Sequence, residues 1–115
     1  MRLHLVEKVR LMGPLGSLKI EAKVDTGAKR TSIDRTIANH LGLEPLREKR
    51  VKVKSGLSRR PKEREVAKAR MELKGMVHKL YVGLENRSHM KYKVIIGMDI
   101  IKHYKLIFIP RDEIG

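Results

Sequence analysis

Leu18-Lys19-Ile20-Glu21-Ala22-Lys23-Val24-Asp25-Thr26-Gly27-Ala28 is the stretch on which the reading of this chain turns. Leu18, Ile20, Ala22 and Val24 alternate with Lys19, Glu21 and Lys23, the period of two expected of a strand with one buried face. The strand runs straight into Asp25, so a carboxylate sits at the end of a rigid element. Thr26 adds a hydroxyl that can tie the loop down, and Gly27, lacking a Cβ, lets another backbone or a substrate approach closely. Asp and Gly are also common turn residues, so the tripeptide alone is equally at home in an ordinary turn.

A second stretch, Val94-Ile95-Ile96-Gly97, shifts the balance. It leads into Asp99-Ile100-Ile101-Lys102-His103-Tyr104, which suits a short helix with Asp99 as its cap. Their order and spacing resemble the retropepsin-like peptidases, in which an apolar strand ending in Gly crosses beneath the catalytic loop and a short helix follows. Val24-Asp25-Thr26-Gly27-Ala28-Lys29-Arg30-Thr31-Ser32 together with Arg87-Ser88-His89-Met90-Lys91-Tyr92 resembles one branch more closely. That branch is the RimB-like family of bacteria and archaea, often labelled ATP-dependent zinc proteases and associated with RimK-type ligases that add glutamates to protein tails. The likeness runs from about residue 17 to residue 109.

The resemblance implies a mostly β, retropepsin-like closed barrel with one or two short helices, a single lobe that dimerises. It implies Asp25, Thr26 and Gly27 as the catalytic triplet, Ala28 as a substrate contact, and Ile96 and Gly97 as supports of the site. A RimK-type ligase is the implied partner. Relatives often carry Arg or Lys after the second Gly, where this chain has Met98; Arg30 and Arg87 are the residues that could take over such a bracing role.

With 115 residues and 41% hydrophobic content, the chain suits one domain over 1–115. Only 3% of residues are aromatic and none is Trp, so the core must rest on Ile, Leu, Val and Met. The absence of Cys excludes disulfides, thiolate zinc ligands and cysteine nucleophiles. A formal charge of +14 attracts polyanions: nucleic acid, anionic membrane or acidic polypeptide. No apolar run is long enough to span a membrane and no signal-peptide core opens the sequence, so a cytoplasmic protein is expected.

The remaining elements follow from local pattern. Residues 3–12 predict a first strand and Gly13-Pro14-Leu15-Gly16 a turn. Thr31-Ser32-Ile33 predicts a short strand, Asp34 an N-cap, residues 35–41 a helix and Gly42 its end. Ala67, Ala69, Met71 and Leu73 mark another strand, Lys74-Gly75 a turn, and Leu80, Val82 and Leu84 the inner face of the next. Residues 105–109 suit a last strand. Residues 47–64 carry nine basic side chains against two acidic ones. With Val51 and Val53 alternating and Ser55-Gly56-Leu57-Ser58 as turn, they predict a basic hairpin. In a retropepsin-like chain this hairpin, about 47–66, is the flap over the substrate, and Lys52, Lys54, Arg59, Arg60 and Lys62 are its candidate contacts to an acidic peptide.

An aspartic peptidase needs two carboxylates sharing a proton across a water. One Asp-Thr-Gly is present, so the expected dyad is Asp25 with Asp25 of a second copy, and a homodimer follows. Asp99 and Asp34 read better as helix caps, and Asp112 reads as part of a tail. Five scattered histidines, His4, His40, His78, His89 and His103, give no metal-ligand spacing, and no phosphate-binding Gly-rich loop occurs, so no cofactor and no metal are expected. Two other readings compete: a basic nucleic-acid- or ribosome-binding module, opposed by the scarcity of stacking aromatics, and a peptidase fold without activity that serves as a binding protein.

Overall fold

The computed structural model describes residues 2–51 and 62–106. Nine strands and two helices succeed one another: β1 Arg2–Leu3, β2 Val6–Gly13, β3 Gly16–Val24, β4 Ser32–Asp34, α1 Arg35–Leu41, β5 Leu46–Val51, β6 Lys62–Leu73, β7 Met76–Glu85, β8 Val94–Ile96, α2 Met98–Ile101 and β9 Lys105–Leu106. The large sheet runs β2-β3-β8-β4-β7-β6-β5, and β2 also pairs with β6. That last pairing closes six strands into a barrel, with β5 hanging from β6 outside the ring. β1 and β9 form a separate parallel pair. The expected mostly β barrel with two short helices is what the chain adopts. No helix among the described residues is long and apolar enough to cross a membrane.

The core is aliphatic, as the lack of aromatics requires. Val9, Leu11, Ala22, Val24, Ile33, Ala67, Met71, Val82, Val94 and Ile96 line the barrel interior. β6 contributes through its period-two face, with Ala67, Ala69, Met71 and Leu73 all buried while Lys68 and Arg70 are exposed, whereas the short β4 and β8 are buried throughout. Burial of such a side chain contributes about 1.5–3 kcal/mol, so the interdigitated interior supplies most of the folding drive.

Residues 3–12 do not form one strand. The chain breaks after Leu3, because the Glu7 carboxylate accepts from the His4 backbone N–H at 2.6 Å and its other oxygen lies 3.4 Å from Lys74 Nζ. Leu5 is 59% exposed, and Glu7 takes an inward place instead. The Leu5 carbonyl then accepts from the Val24 N–H, tying this corner to the end of β3.

Asp34 caps α1 as expected, accepting from the Thr36 N–H at 3.3 Å, and the helix ends at Gly42. Its second oxygen accepts from the Arg87 N–H at 2.7 Å, so the same carboxylate also fixes the loop after β7. The Arg87 hydrogen bond is the main reason its pKa lies below the ordinary 3.8; burial opposes this, and Thr36 and Lys93 reinforce it. A carboxyl with a depressed folded pKa stabilises fully above the unfolded value and loses that contribution as the pH falls through it. Asp34→Ala is therefore expected to cost roughly 2–3 kcal/mol in urea unfolding at neutral pH, from the cap and the charge-assisted bond together. The gap between variant and wild type should narrow below about pH 4.

Candidate active site

β3 delivers Asp25 beside β8. The two strands run parallel with Val24 opposite Ile96, and the Asp25 N–H donates to the Ile96 carbonyl at 2.9 Å. The chain then turns tightly: the Ala28 N–H donates to the Asp25 carbonyl at 3.1 Å, and the Gly27 N–H to Asp25 Oδ1 at 2.9 Å. Asp25 and Ala28 are half-buried, while Thr26 and Gly27 are exposed. The loop thus presents one carboxylate, oriented by a backbone donor, at an open surface.

What holds the loop is the segment 96–99. The Met98 and Asp99 N–H groups donate to the carbonyls of Ala28 and Lys29. Gly97 lies flat against the backbone of Arg30; a Cβ there would stand 2.5 Å from the Arg30 carbonyl carbon. Thr31, fully buried, accepts from the Gly97 N–H at 3.1 Å and donates through Oγ1 to Asp99 at 2.8 Å. Ile96 and Gly97 thus both contact the segment 25–30, one as acceptor and the other as the point of closest approach.

Asp99 has a different place from the one its sequence position suggests. Gly97 is the N-cap of α2 and makes no side-chain cap, whereas Asp99 accepts from both N–H and hydroxyl of Thr31, 68 residues away. A carboxylate anchoring a strand across the fold gives nothing local to read, which is why sequence reasoning missed both it and Thr31. Asp34 and Asp99 are each engaged in such bonds, and Asp112 lies outside the described residues.

Arg87 braces a neighbouring loop. Its Nε donates to the Tyr92 carbonyl, and Lys93 Nζ donates to the carbonyls of Arg87, Ser88 and Met90 at 2.7–3.0 Å. The Arg-Ser-His-Met-Lys-Tyr stretch is thus wrapped around the Lys93 ammonium, while His89 in its middle is exposed and Met98 is 38% exposed. On the far side of α2, His78 contacts the Tyr104 hydroxyl, and its ring stacks on His103 at 5.8 Å. Burial holds the His78 pKa below the ordinary 6.5, with His103 adding to the shift and Asp99 opposing it; burial also raises Tyr104.

The two arms of the predicted basic hairpin pair antiparallel, Leu46 opposite Val66 and Val51 opposite Lys62, with a register shift between Glu48 and Val51. Lys62 opens β6. Lys52, Lys54, Arg59 and Arg60 lie outside the described residues.

An Asp-Thr-Gly loop on a closed β-barrel, locked by a following Gly and short helix, defines the retropepsin-like aspartic protease class. Residues 15–103 match the family described as "gag-polyprotein putative aspartyl protease", and the chain belongs to that family. Among solved structures, it resembles the EIAV protease complexed with the inhibitor HBY-793, at TM-score 0.62 and 17% identity over 90% of this chain and 91% of that one. It also resembles Lpg0085, a protein of unknown function from Legionella pneumophila, at TM-score 0.59 and 22% identity over 92% and 91% of the two chains. No curated protein matches the sequence. At these identities the structural likenesses speak for the fold.

Proposed function

We propose that this chain is the subunit of a homodimeric aspartic endopeptidase that hydrolyses acidic, glutamate-rich peptides, as the RimB-like resemblance suggests. The observation that carries the reading is Asp25 itself: a half-buried carboxylate at a strand end, oriented by Gly27 and backed by Gly97, Thr31 and Asp99. Because Asp34 and Asp99 are engaged elsewhere, the second carboxylate comes from Asp25 of another copy. In this reading Thr26, which is exposed beside it, braces the two loops against each other.

In the dimer one Asp25 is ionised and the other protonated, since two carboxylates about 3 Å apart share a single proton, as aspartic proteases generally do. The ionised partner takes a proton from a bound water, whose oxygen attacks the scissile carbonyl carbon. The protonated partner donates to the carbonyl oxygen. Collapse of the gem-diol breaks the C–N bond as the amide nitrogen receives the proton taken from water and a gem-diol hydroxyl returns its proton to the other carboxylate, releasing an acid and an amine and leaving one proton on the dyad.

Substrate preference follows from charge. Residues 47–64 carry a local excess of seven positive charges. Each exposed ion pair contributes only about 0.2–1 kcal/mol, so recognition needs several and weakens with salt. An oligoglutamate-tailed peptide is expected to be cleaved at least about tenfold faster than its glutamine counterpart at low ionic strength, with the advantage shrinking at high salt. A chelator should change neither rate. Equal rates for both peptides at every salt concentration would remove the acidic preference.

A further inference from the structure

Among the described residues, β7 leaves part of one edge open. Lys74 and Gly75, both at positive φ, join β6 to β7 in a two-residue hairpin with Leu73 opposite Met76. In such a hairpin the closing pair exchanges backbone hydrogen bonds, and hydrogen-bonded pairs then alternate along the ladder. Met76, His78, Leu80 and Val82 therefore direct their N–H and C=O groups to β6. Val77, Lys79 and Tyr81 direct theirs the other way. Gly83, next in that series, confirms the phase: its N–H donates to the Thr31 carbonyl at 2.8 Å. β4 pairs with β7 only from Gly83 onward, so among the described residues no strand covers the edge at Val77, Lys79 and Tyr81.

That edge borders a groove of about 500 Å³ between β7 and α2. Lys79 and Lys102 line it with His78 and His103, against one carboxylate, Asp99, whose oxygens already receive Thr31. Asp25, Thr26, Gly27 and Ala28 are not among its walls. The groove thus combines a row of outward backbone donors and acceptors with the ammonium groups of Lys79 and Lys102, both exposed.

We propose that this groove binds an acidic polypeptide segment in extended form, as an added strand on β7, forming a docking site separate from the Asp25 loop. The pairing chemistry decides the ligand. Outward N–H donors and C=O acceptors on alternate residues recur at roughly 6.8 Å and are matched by a second β-strand's own C=O and N–H groups, whereas a phosphodiester backbone offers acceptors only. Lys79 and Lys102 then select acidic side chains on the added strand. The role as a substrate exosite rests on the proposed peptidase reading; the binding itself does not.

The test uses the Asp25→Asn chain, so that no cleavage intervenes, and a short oligoglutamate peptide. Amide exchange by NMR should show protection rising tenfold or more at Val77, Lys79 and Tyr81 on binding, with little change at His78 and Leu80, already bonded to β6. Lys79→Pro, which removes one outward donor, should raise Kd about tenfold, and Lys79→Ala only a few-fold. Should the proline variant fail to fold, an oligoglutamate N-methylated at alternate residues keeps the charge but not the donors, and should bind about tenfold more weakly. The proposal is overturned by unchanged protection at these three amides, by equal binding of the N-methylated peptide, or by stronger protection there from an oligothymidylate of equal charge. It is also overturned if the three amides are already protected in the free protein in a concentration-dependent way, which would assign the edge to a second copy. Loss of cleavage in the wild type would sink the peptidase reading and leave this result standing.

Discussion

Gly97→Ala should destabilise the fold by about 3 kcal/mol, lowering Tm by roughly 10 °C or more, and should remove activity before it removes structure. The added methyl would lie 2.5, 2.7 and 2.9 Å from the carbonyl carbon, oxygen and nitrogen of Arg30. All three are backbone atoms, so no side chain can swing aside. That backbone is itself pinned, by Thr31 bonded to Asp99 and by the Ala28 and Lys29 carbonyls bonded to Met98 and Asp99. The only relief is to part the Asp25 loop from the segment beneath it. Gly27→Ala is the contrast: its Cβ would meet only Asp25 Oδ1, at 3.2 Å, so stability should change by less than about 1 kcal/mol. A Gly97→Ala chain as stable as wild type in thermal unfolding would mean that the contact is not the clamp described.

Asp25→Asn is the second large effect, and it falls on chemistry alone. Peptide hydrolysis should drop by about 10³-fold or more, because the neutral amide can neither accept a proton from water nor donate one to the carbonyl as a carboxyl does. Stability should hold or rise. Asp25 is half-buried and its carboxylate accepts only a local bond from Gly27, which an Asn oxygen can also accept. Comparing kcat/KM with Tm for the two chains separates the roles. Activity retained within tenfold would remove Asp25 from the mechanism.

The parts of the fold that sequence could announce are those written in local pattern. The alternation in β3 and β6 marks their inner faces, Asp34 and Gly42 bracket α1, and Lys74-Gly75 turns β6 into β7. What stayed hidden depends on partners far along the chain. The break at His4 is caused by the Glu7 carboxylate, which the alternation of residues 3–12 disguises. Asp99 looks like a cap because it opens a helix, and only the fold brings Thr31 against it. Lys93, one charge among many in a basic sequence, becomes the centre of a loop through three carbonyls. In the candidate site, Asp25 was legible as a carboxylate at the end of a rigid strand and Gly97 as the end of the strand crossing beneath its loop; the close approach was read at Gly27, and the contact of Gly97 with the backbone of Arg30 was not legible.

The central claim is that two copies each supply one Asp25 to a shared dyad. Mixing wild-type chains with Asp25→Asn chains, dissociating and reassociating them, and following peptide hydrolysis at fixed total protein tests it directly. If the dyad spans two subunits, activity falls with the square of the wild-type fraction, because mixed dimers are inactive. Activity strictly proportional to the wild-type fraction would show that a single chain carries the whole site, and would contradict the account.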